Sequence, residues 1–134
     1  MKTQIISPEN EIFTGTTEMV VIPGEEGDFA AMHDHAPLVT YLRPGKLEVI
    51  ENDNKPKVVF FVGGGFVKLE DNYCIIMVDY IKSLNQIDIK ANNQKIALLK
   101  DMAEKETEDE RKIEMLEEIN TLEIENITFT EIKQ

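Results

Sequence analysis

The chain has 134 residues, of which 42% are hydrophobic, enough for one ordinary domain with its own core plus a modest appendage. Its net charge of −12 disfavours nucleic acid and anionic lipid as direct partners, because both attract clustered Lys and Arg. The longest apolar runs, Val58–Val62 and Cys74–Val78, are far shorter than the roughly 20 residues that cross a bilayer, and no charged and apolar leader opens the chain. We therefore expect a compact protein that neither spans a membrane nor is secreted.

Short apolar or alternating runs occupy the chain from Met1 to about Ile87, and turn-forming Gly, Pro, Asn and Asp separate them. Partial alternation favours strands with one buried and one wet face. The pattern predicts an all-β sandwich or barrel of about ten short strands. We expect them at Lys2–Ser7, Glu11–Gly15, Glu18–Ile22, Phe29–Met32, Leu38–Leu42, Lys46–Glu51, Lys57–Val62, Phe66–Glu70, Tyr73–Asp79 and Ser83–Ile87.

After Ile87 glycine and proline are absent, and residues with high helix propensity take over. Asp88 is a suitable N-cap for a first helix. Apolar residues then recur at steps of three and four, which predicts one buried stripe on this helix. The stripe comprises Ala91, Ile96, Leu99, Met102 and Ala103.

A second helix is predicted after a break near Glu106, because Thr107 followed by Glu110 resembles a capping box. We expect an extended or frayed tail at Ile127–Thr130. The buried side of this helix is expected to hold Ile113, Leu116, Ile119 and Leu122 or Ile124. The predicted organisation is thus a β domain over residues 1–87 and a helical hairpin over residues 88–134.

Charge is distributed unevenly between these two parts. Residues 101–134 contain 12 acidic and four basic side chains, so they carry −8 of the net charge of −12. The hairpin is therefore expected to be an acidic arm.

The sequence offers little that could support catalysis. His33-Asp34-His35 is the one cluster that resembles a metal site, but a catalytic zinc needs three protein ligands, and a structural turn is favoured. Cys74, the sole cysteine, lies in an apolar run and is expected to be a buried small hydrophobe in a reducing compartment. We expect no catalytic, metal or cofactor site, and a binding or assembly role.

Three segments closely resemble the signature block of F-type ATP synthase epsilon subunits: Val21–Phe29, His35–Thr40 and Leu42–Gly45. Gly64–Leu69 is similar to a later strand start of that family. The resemblance implies a ten-stranded β-sandwich followed by a helical hairpin, in a non-catalytic central-stalk subunit. It also implies binding to the gamma subunit and the c-ring, coupling of proton flow to ATP synthesis, and a peripheral position on the cytoplasmic face of the cell membrane.

By position, the resemblance carries a partner-facing role to five residues, namely Asp28, Phe29, His35, Ala36 and Pro37. The neighbouring residues Pro23, Gly24, Gly27, Pro44 and Gly45 are expected to be turn formers rather than contacts.

Two departures from the family pattern bear on regulation. Relatives that bind ATP carry Ile/Leu-Asp-x-x-Arg-Ala at the first helix, whereas this chain has Ala91 where arginine is expected, so we predict no bound nucleotide. Inhibition in the family involves a basic helical arm that makes transient contact with acidic segments of the catalytic alpha and beta subunits. An acidic arm is expected to inhibit weakly if at all.

Two other classes of function remain open from the residues alone. One is a free-standing β-sandwich module that binds a ligand or metal, in which the hairpin makes an oligomer. The other is an enzyme that uses His33 and His35.

Overall fold

The computed structural model describes residues 1–133 of the chain. They divide into two compact units, Met1–Leu84 and a second that begins at Asn85. The predicted domain boundary follows Ile87, three residues further along the chain, and whether each part folds alone stays a prediction. Gln134, the last residue of the predicted hairpin domain, lies outside the described residues.

The first unit is a β-sandwich of two five-stranded sheets, which confirms the predicted fold class. One sheet has the strand order β2-β1-β9-β8-β5, and the other has the order β10-β7-β6-β3-β4. All neighbouring strands in these sheets pair antiparallel except β1 and β9, which run parallel. The strands are β1 (Lys2–Ile6), β2 (Glu11–Thr16), β3 (Met19–Gly24), β4 (Gly27–Met32), β5 (Leu38–Tyr41), β6 (Gly45–Ile50), β7 (Val58–Val62), β8 (Gly65–Glu70), β9 (Tyr73–Val78) and β10 (Ile81–Ser83).

The core lies between the sheets because alternate residues of each strand point inward. In β9, Cys74, Ile76 and Val78 are buried while Tyr73 and Met77 are exposed. The main cluster also includes Ile5, Val20, Ile22, Ala31, Leu42, Leu47, Val49, Val62, Val67 and Leu69. The predicted burial of Cys74 is confirmed, and that burial raises the pKa of its thiol to about 12.

Glu48 is a buried charged side chain of the sandwich. Burial alone would raise the pKa of its carboxyl group, but hydrogen bonds and charge attraction from Lys46 and Lys57 outweigh it and leave the pKa lowered. Its Oε1 atom lies 3.0 Å from the Lys46 ammonium and 3.1 Å from that of Lys57. The two cations therefore hold Glu48 ionised in a site that is 9% exposed.

The turn between β7 and β8 depends on Gly65. Its φ is +126°, and a Cβ atom built there would lie 2.0 Å from the Met77 carbonyl oxygen. Both the positive φ and the contact exclude a side chain. Hence Gly63-Gly64-Gly65 forms a tight turn between the two strands.

The tenth strand differs from its prediction. The sequence suggested Ser83–Ile87, whereas β10 covers Ile81–Ser83 and pairs with β7. A short 3-10 helix follows at Leu84–Gln86. Asn85 belongs to a residue type that is depleted in strands, so this segment turns toward the first α-helix rather than extending the sheet.

The first helix of the second unit, α1, covers Ile89–Lys105. Asp88 caps it as predicted, since its Oδ1 atom accepts a hydrogen bond of 3.1 Å from the Ala91 N–H. The helix ends at Lys105, and Glu106 has extended backbone angles, which confirms the predicted break.

The second helix, α2, covers Asp109–Lys133 and differs from prediction at both ends. The Glu108 carbonyl accepts the first helical bond, from Lys112, so the helix starts later than a cap at Thr107 would place it. The segment Ile127–Thr130, predicted to be an extended or frayed tail, is helical instead. Thr128 is 7% exposed there, so burial outweighs the weak helix propensity of this β-branched residue.

The two helices pack as a hairpin around a small core of Ile96, Leu99, Ile119 and Leu122, with Met115 against it. Cross-helix ion pairs, Lys95–Glu118 and Lys100–Glu123, flank this core at 2.8 and 3.4 Å. The predicted stripes were too wide. Four of their members, Ala91, Met102, Ile113 and Leu116, are exposed.

A polar cluster joins the two helices beside that core. The Asn92 side-chain amide donates to Glu125, and it also donates to the Asn126 side-chain carbonyl at 2.9 Å. Asn126 in turn donates to Asn93 at 3.0 Å. Asn92 is 5% exposed and Glu125 is fully buried, so this asparagine–glutamate cluster fixes polar atoms in the interior of the hairpin.

Candidate partner-binding surface

The predicted partner-facing residues begin at the β3–β4 hairpin, whose register pairs Pro23 with Asp28 and Gly24 with Gly27. Arg43 holds this hairpin from outside. Its guanidinium donates to the Gly24 carbonyl at 2.6 Å and to Asp28 Oδ1 at 2.5 Å. The Asp28 side chain is 60% exposed, so its carboxylate is positioned by Arg43 and still accessible to a partner.

The following segment brings Phe29 and His35 together. Their ring centroids lie 6.1 Å apart at an angle of 41°. The His35 backbone N–H donates to the Met32 carbonyl at 3.0 Å, and Nδ1 lies 2.7 Å from the Ala36 carbonyl. A carbonyl oxygen can only accept, so Nδ1 is the protonated nitrogen in this arrangement. These contacts close the turn that leads from β4 to β5.

The five predicted residues do not share one face. Asp28 and Phe29 are successive residues of β4, and successive side chains of a strand point to opposite sides. Phe29 and His35 are half-buried, whereas Ala36 and Pro37 are exposed. The carboxylate of Asp28 and the Ala36-Pro37 segment are therefore the accessible parts, whereas Phe29 packs against the core of the sandwich.

The structure adds an exposed apolar surface that the sequence interpretation missed. Strand register aligns Tyr41, Phe66 and Met77 in one row across β5, β8 and β9, on the side of the sheet that faces away from the core. They are 68%, 38% and 42% exposed, and Val39 beside them is 66% exposed. We call these four residues the apolar row. Only the pairing register shows it, because the four positions lie in three separate runs of sequence.

Backbone hydrogen bonds connect this row to the β3–β4 hairpin. The Glu25 N–H donates to the Tyr41 carbonyl and the Arg43 N–H donates to the Pro23 carbonyl, both at 2.9 Å. A shallow depression of about 350 Å³ lies where they meet, lined by Glu25, Val39, Thr40, Tyr41 and Phe66. Asp28 and the apolar row thus belong to one end of the sandwich, acidic at the hairpin tip and apolar on the sheet.

The histidine pair forms no metal centre within the described residues. His33 Nε2 lies 3.6 Å from Asp34 Oδ1, and both side chains are well exposed. Asp34 has a φ of +64° and its N–H donates to the Asn72 side chain at 2.7 Å, which identifies this segment as a turn. In residues 1–133, no group of three or more His, Cys, Asp or Glu side chains could hold a metal ion.

The fold and this surface define a two-part protein in which a β-sandwich presents an apolar and acidic end and a helical hairpin follows it. Residues 1–83 match the family described as ATP synthase, delta/epsilon chain, β-sandwich domain. The ATP synthase epsilon chain of Parvibaculum lavamentivorans is 38% identical over 121 residues, which cover 88% of this chain and 91% of that one. The epsilon chain of Rhodospirillum rubrum is 33% identical over 111 residues, covering 83% of this chain and 82% of its own length. The chain belongs to the ATP synthase delta/epsilon chain family.

Solved structures show the same fold at lower identity. A chain of the Euglena gracilis mitochondrial ATP synthase, a complex of OSCP, F1 and c-ring, superposes with a TM-score of 0.78 at 19% identity, covering 93% of this chain and 78% of that one. A chain of the Tetrahymena thermophila mitochondrial ATP synthase central stalk and c-ring gives a TM-score of 0.56 at 21% identity, covering 68% and 70%. Neither helix of residues 1–133 is apolar enough over a sufficient length to cross a membrane.

Proposed function

We propose that this chain is a non-catalytic rotor subunit in the central stalk of an F-type ATP synthase, where it binds the gamma subunit and the c-ring. In this role it couples proton flow to ATP synthesis from the cytoplasmic face of the cell membrane. The observation that carries the proposal is the similarity to ATP synthase epsilon chains across most of the length of both chains. Membership of this family disfavours the free-standing ligand-binding module and the enzyme.

The two kinds of surface at the end of the sandwich suit two kinds of partner. The apolar row (Val39, Tyr41, Phe66 and Met77) has aromatic and methionine side chains, which are enriched at protein interfaces, and we assign it to gamma. The accessible Asp28 carboxylate and the Ala36-Pro37 segment are assigned to the polar loops of the c-ring. Burial of the row against gamma would exclude water from a patch that the free chain leaves exposed.

Nucleotide binding is not part of the proposed function. Ala91 occupies the position at which ATP-binding relatives carry arginine, and its side chain has no charge for a phosphate. Calorimetry with ATP up to millimolar concentration should give no saturable heat. Saturable binding at sub-millimolar affinity that Asp88→Ala abolishes would contradict this assignment.

The hairpin is proposed to inhibit ATP hydrolysis weakly, because an acidic arm gains no attraction from acidic segments of the catalytic subunits. The measurement is steady-state hydrolysis by the reconstituted complex with the full chain and with a truncation after Ile87, at low and high salt. Rates equal within about twofold are expected. A rise of several fold on truncation would show that the arm inhibits strongly.

Co-purification with gamma tests the main assignment. The double variant Tyr41→Ser, Phe66→Ser should lower the affinity for gamma at least tenfold, since both rings sit in the apolar row. Tyr73→Ser is the matched control, because Tyr73 is 51% exposed on the same sheet but pairs with Glu70 at the other end of β8. If both variants retained gamma equally, the apolar row would not be part of the interface. If the unaltered chain did not bind gamma, the rotor function would be rejected.

The c-ring assignment has a separate readout. Asp28→Asn keeps the shape of the side chain and removes its charge, so it should weaken coupling of proton flow to ATP synthesis while gamma binding stays unchanged. The comparison is ATP-driven proton pumping by membranes that contain the reconstituted complex, with Glu104→Gln on the hairpin as the control. Undiminished pumping by the Asp28 variant would contradict the role of that carboxylate.

A further inference from the structure

Helix α2 carries a row of side chains that its packing on α1 covers only in part. Its members recur at steps of three, four, four and three residues, which puts them on one face of an α-helix. They are Ile113, Leu116, Asn120, Ile124 and Ile127, and we call them the α2 stripe. Ile113, Leu116 and Ile127 are 55%, 50% and 57% exposed, so the stripe leaves large aliphatic groups in water. From end to end it spans about 21 Å, because an α-helix rises 1.5 Å per residue.

The exposed aliphatic residues of the α2 stripe differ from the polar residues that usually form the solvent-facing side of a helix. The opposite face of α2 already has its own core against α1, built on Ile119 and Leu122. A helix that packed only against α1 would have one apolar face, and its other face would be polar. A second series of aliphatic residues at helical spacing is typical of a helix that packs on two neighbours.

Most of the charged residues that border the α2 stripe are acidic, and Lys112, four residues before Leu116, is a basic one. Asp109, Glu110, Glu117 and Glu131 are all exposed and fall within about one third of a turn of the stripe. Glu123 borders it too, and its carboxylate pairs with Lys100 at 3.4 Å. The stripe is thus an apolar surface whose border has a net negative charge, and it is complementary to a helix with the opposite net charge along its border.

We propose that the α2 stripe binds an amphipathic helix whose apolar face is bordered by Lys or Arg. The proposal rests on the proposed function only for the source of that helix, which is another subunit of the same ATP synthase. A second copy of this chain fits poorly, because two stripes would bring acidic borders face to face and each chain carries a net charge of −12.

The size of the α2 stripe sets the character of this contact. Three half-exposed aliphatic side chains offer far less surface than the roughly 800 Å² per partner that a stable stand-alone interface buries. The contact is therefore weak by itself and is effective when other surfaces of the complex keep the partner helix close. Screening of exposed charges makes it weaker still at high salt.

The test is an NMR titration of the isotope-labelled full chain with two designed helical peptides. Both peptides carry the same leucine stripe, and they differ only in its borders, which are lysine in one and glutamate in the other. The lysine peptide should shift signals of Ile113, Leu116 and Ile127 in a saturable way and bind at least tenfold more tightly than the glutamate peptide. Equal binding of the two peptides would reject the charge complementarity, and no shift at these residues would reject the site.

Matched variants locate the binding surface. Ile113→Gln, Leu116→Gln and Ile127→Gln in one chain remove the stripe while keeping good helix formers, and should abolish the lysine-peptide shifts. Leu98→Gln with Met102→Gln is the control, since these residues are 60% and 43% exposed on α1. Loss of binding in the control, or retention in the stripe variant, would overturn the proposal.

Light scattering that showed dimers of the unaltered chain would favour a second copy and also overturn it. None of these measurements involves gamma or the c-ring, so a failure here leaves the rotor function to its own test.

Discussion

The contacts that stabilise the sandwich internally differ in number and kind from those that stabilise the hairpin. Between the sheets, thirteen side chains form one continuous buried cluster, and ten of them are completely inaccessible to solvent. Among the described residues of the hairpin, the buried apolar cluster comprises four side chains, each 5–8% exposed. The hairpin supplements this small core with ion pairs and the asparagine–glutamate cluster. The comparison shows one unit stabilised mainly by apolar burial, and another in which polar contacts specify the structure.

The largest expected effect comes from a cavity in the sandwich. Leu47→Ala removes a fully buried side chain from the main cluster and should lower the free energy of unfolding by about 3 kcal/mol. Chemical denaturation followed by circular dichroism measures it, because the chain contains no tryptophan. Leu98→Ala, at a site that is 60% exposed, should change stability by less than about 0.5 kcal/mol. A cost below about 1 kcal/mol for Leu47→Ala would contradict the comparison.

A similar truncation in the hairpin should cost less. Ile119→Ala is expected to lower stability by about 1 to 2 kcal/mol, because its surroundings are partly exposed and can relax around the smaller side chain. Amide hydrogen exchange resolves the two units, and faster exchange should appear in α1 and α2. Equal acceleration throughout the sandwich strands would show that the two units unfold as one.

Glu48 provides a smaller, pH-dependent effect in the sandwich. Its folded-state pKa is lowered, so its contribution to stability is present above the unfolded pKa of about 4.3 and is lost as the pH falls through the folded value. Glu48→Gln should cost about 1 kcal/mol at pH 7, and the difference from the unaltered chain should shrink below about pH 4.5. Thermal melts from pH 7 to pH 3 measure it. A difference that stayed constant over this range would show that the lysine contacts do not act through charge.

The smallest expected effect is the change in the stability of the sandwich when the hairpin is removed. A fragment of residues 1–87 should melt cooperatively with a midpoint within a few degrees of that of the sandwich in the full chain, because its core is complete without the hairpin. Dispersed amide spectra are the second readout. A fragment that gave neither a cooperative melt nor dispersed signals would show that the sandwich depends on the second unit.

The difference between the units also explains which sequence predictions succeeded. Strands such as Tyr73–Val78 were predicted almost to the residue, since alternation and flanking turn residues act locally. The helical tail at Ile127–Thr130 was predicted wrongly because β-branched residues favour strands locally, and only tertiary burial of Thr128 makes the helix preferable. The exposure of Ile113 and Leu116 was missed for a related reason: periodicity shows that a face is apolar without showing what covers it.

The proposed partner surface was only partly predictable from the sequence, for a different physical reason. Asp28 and His35 lie in one segment with a recognisable pattern, but the apolar row depends on the pairing of Tyr41 with Phe66 and of Phe66 with Met77. Such pairing is set by hydrogen bonds between strands that are distant in sequence. A surface assembled from three strands is therefore absent from any one stretch of residues.

The asparagine–glutamate cluster limits how far the hairpin can slide. Moving α2 along α1 by one turn would shift it about 5.4 Å and could still bring aliphatic groups into contact, because leucine and isoleucine pack tolerantly. The same shift would take Asn92 away from Glu125 and Asn126 and leave a fully buried carboxylate without that donor. Alignments between these two positions are therefore less stable than they would be if only apolar side chains joined the helices. We therefore expect α1 and α2 either to keep this alignment or to separate in one step.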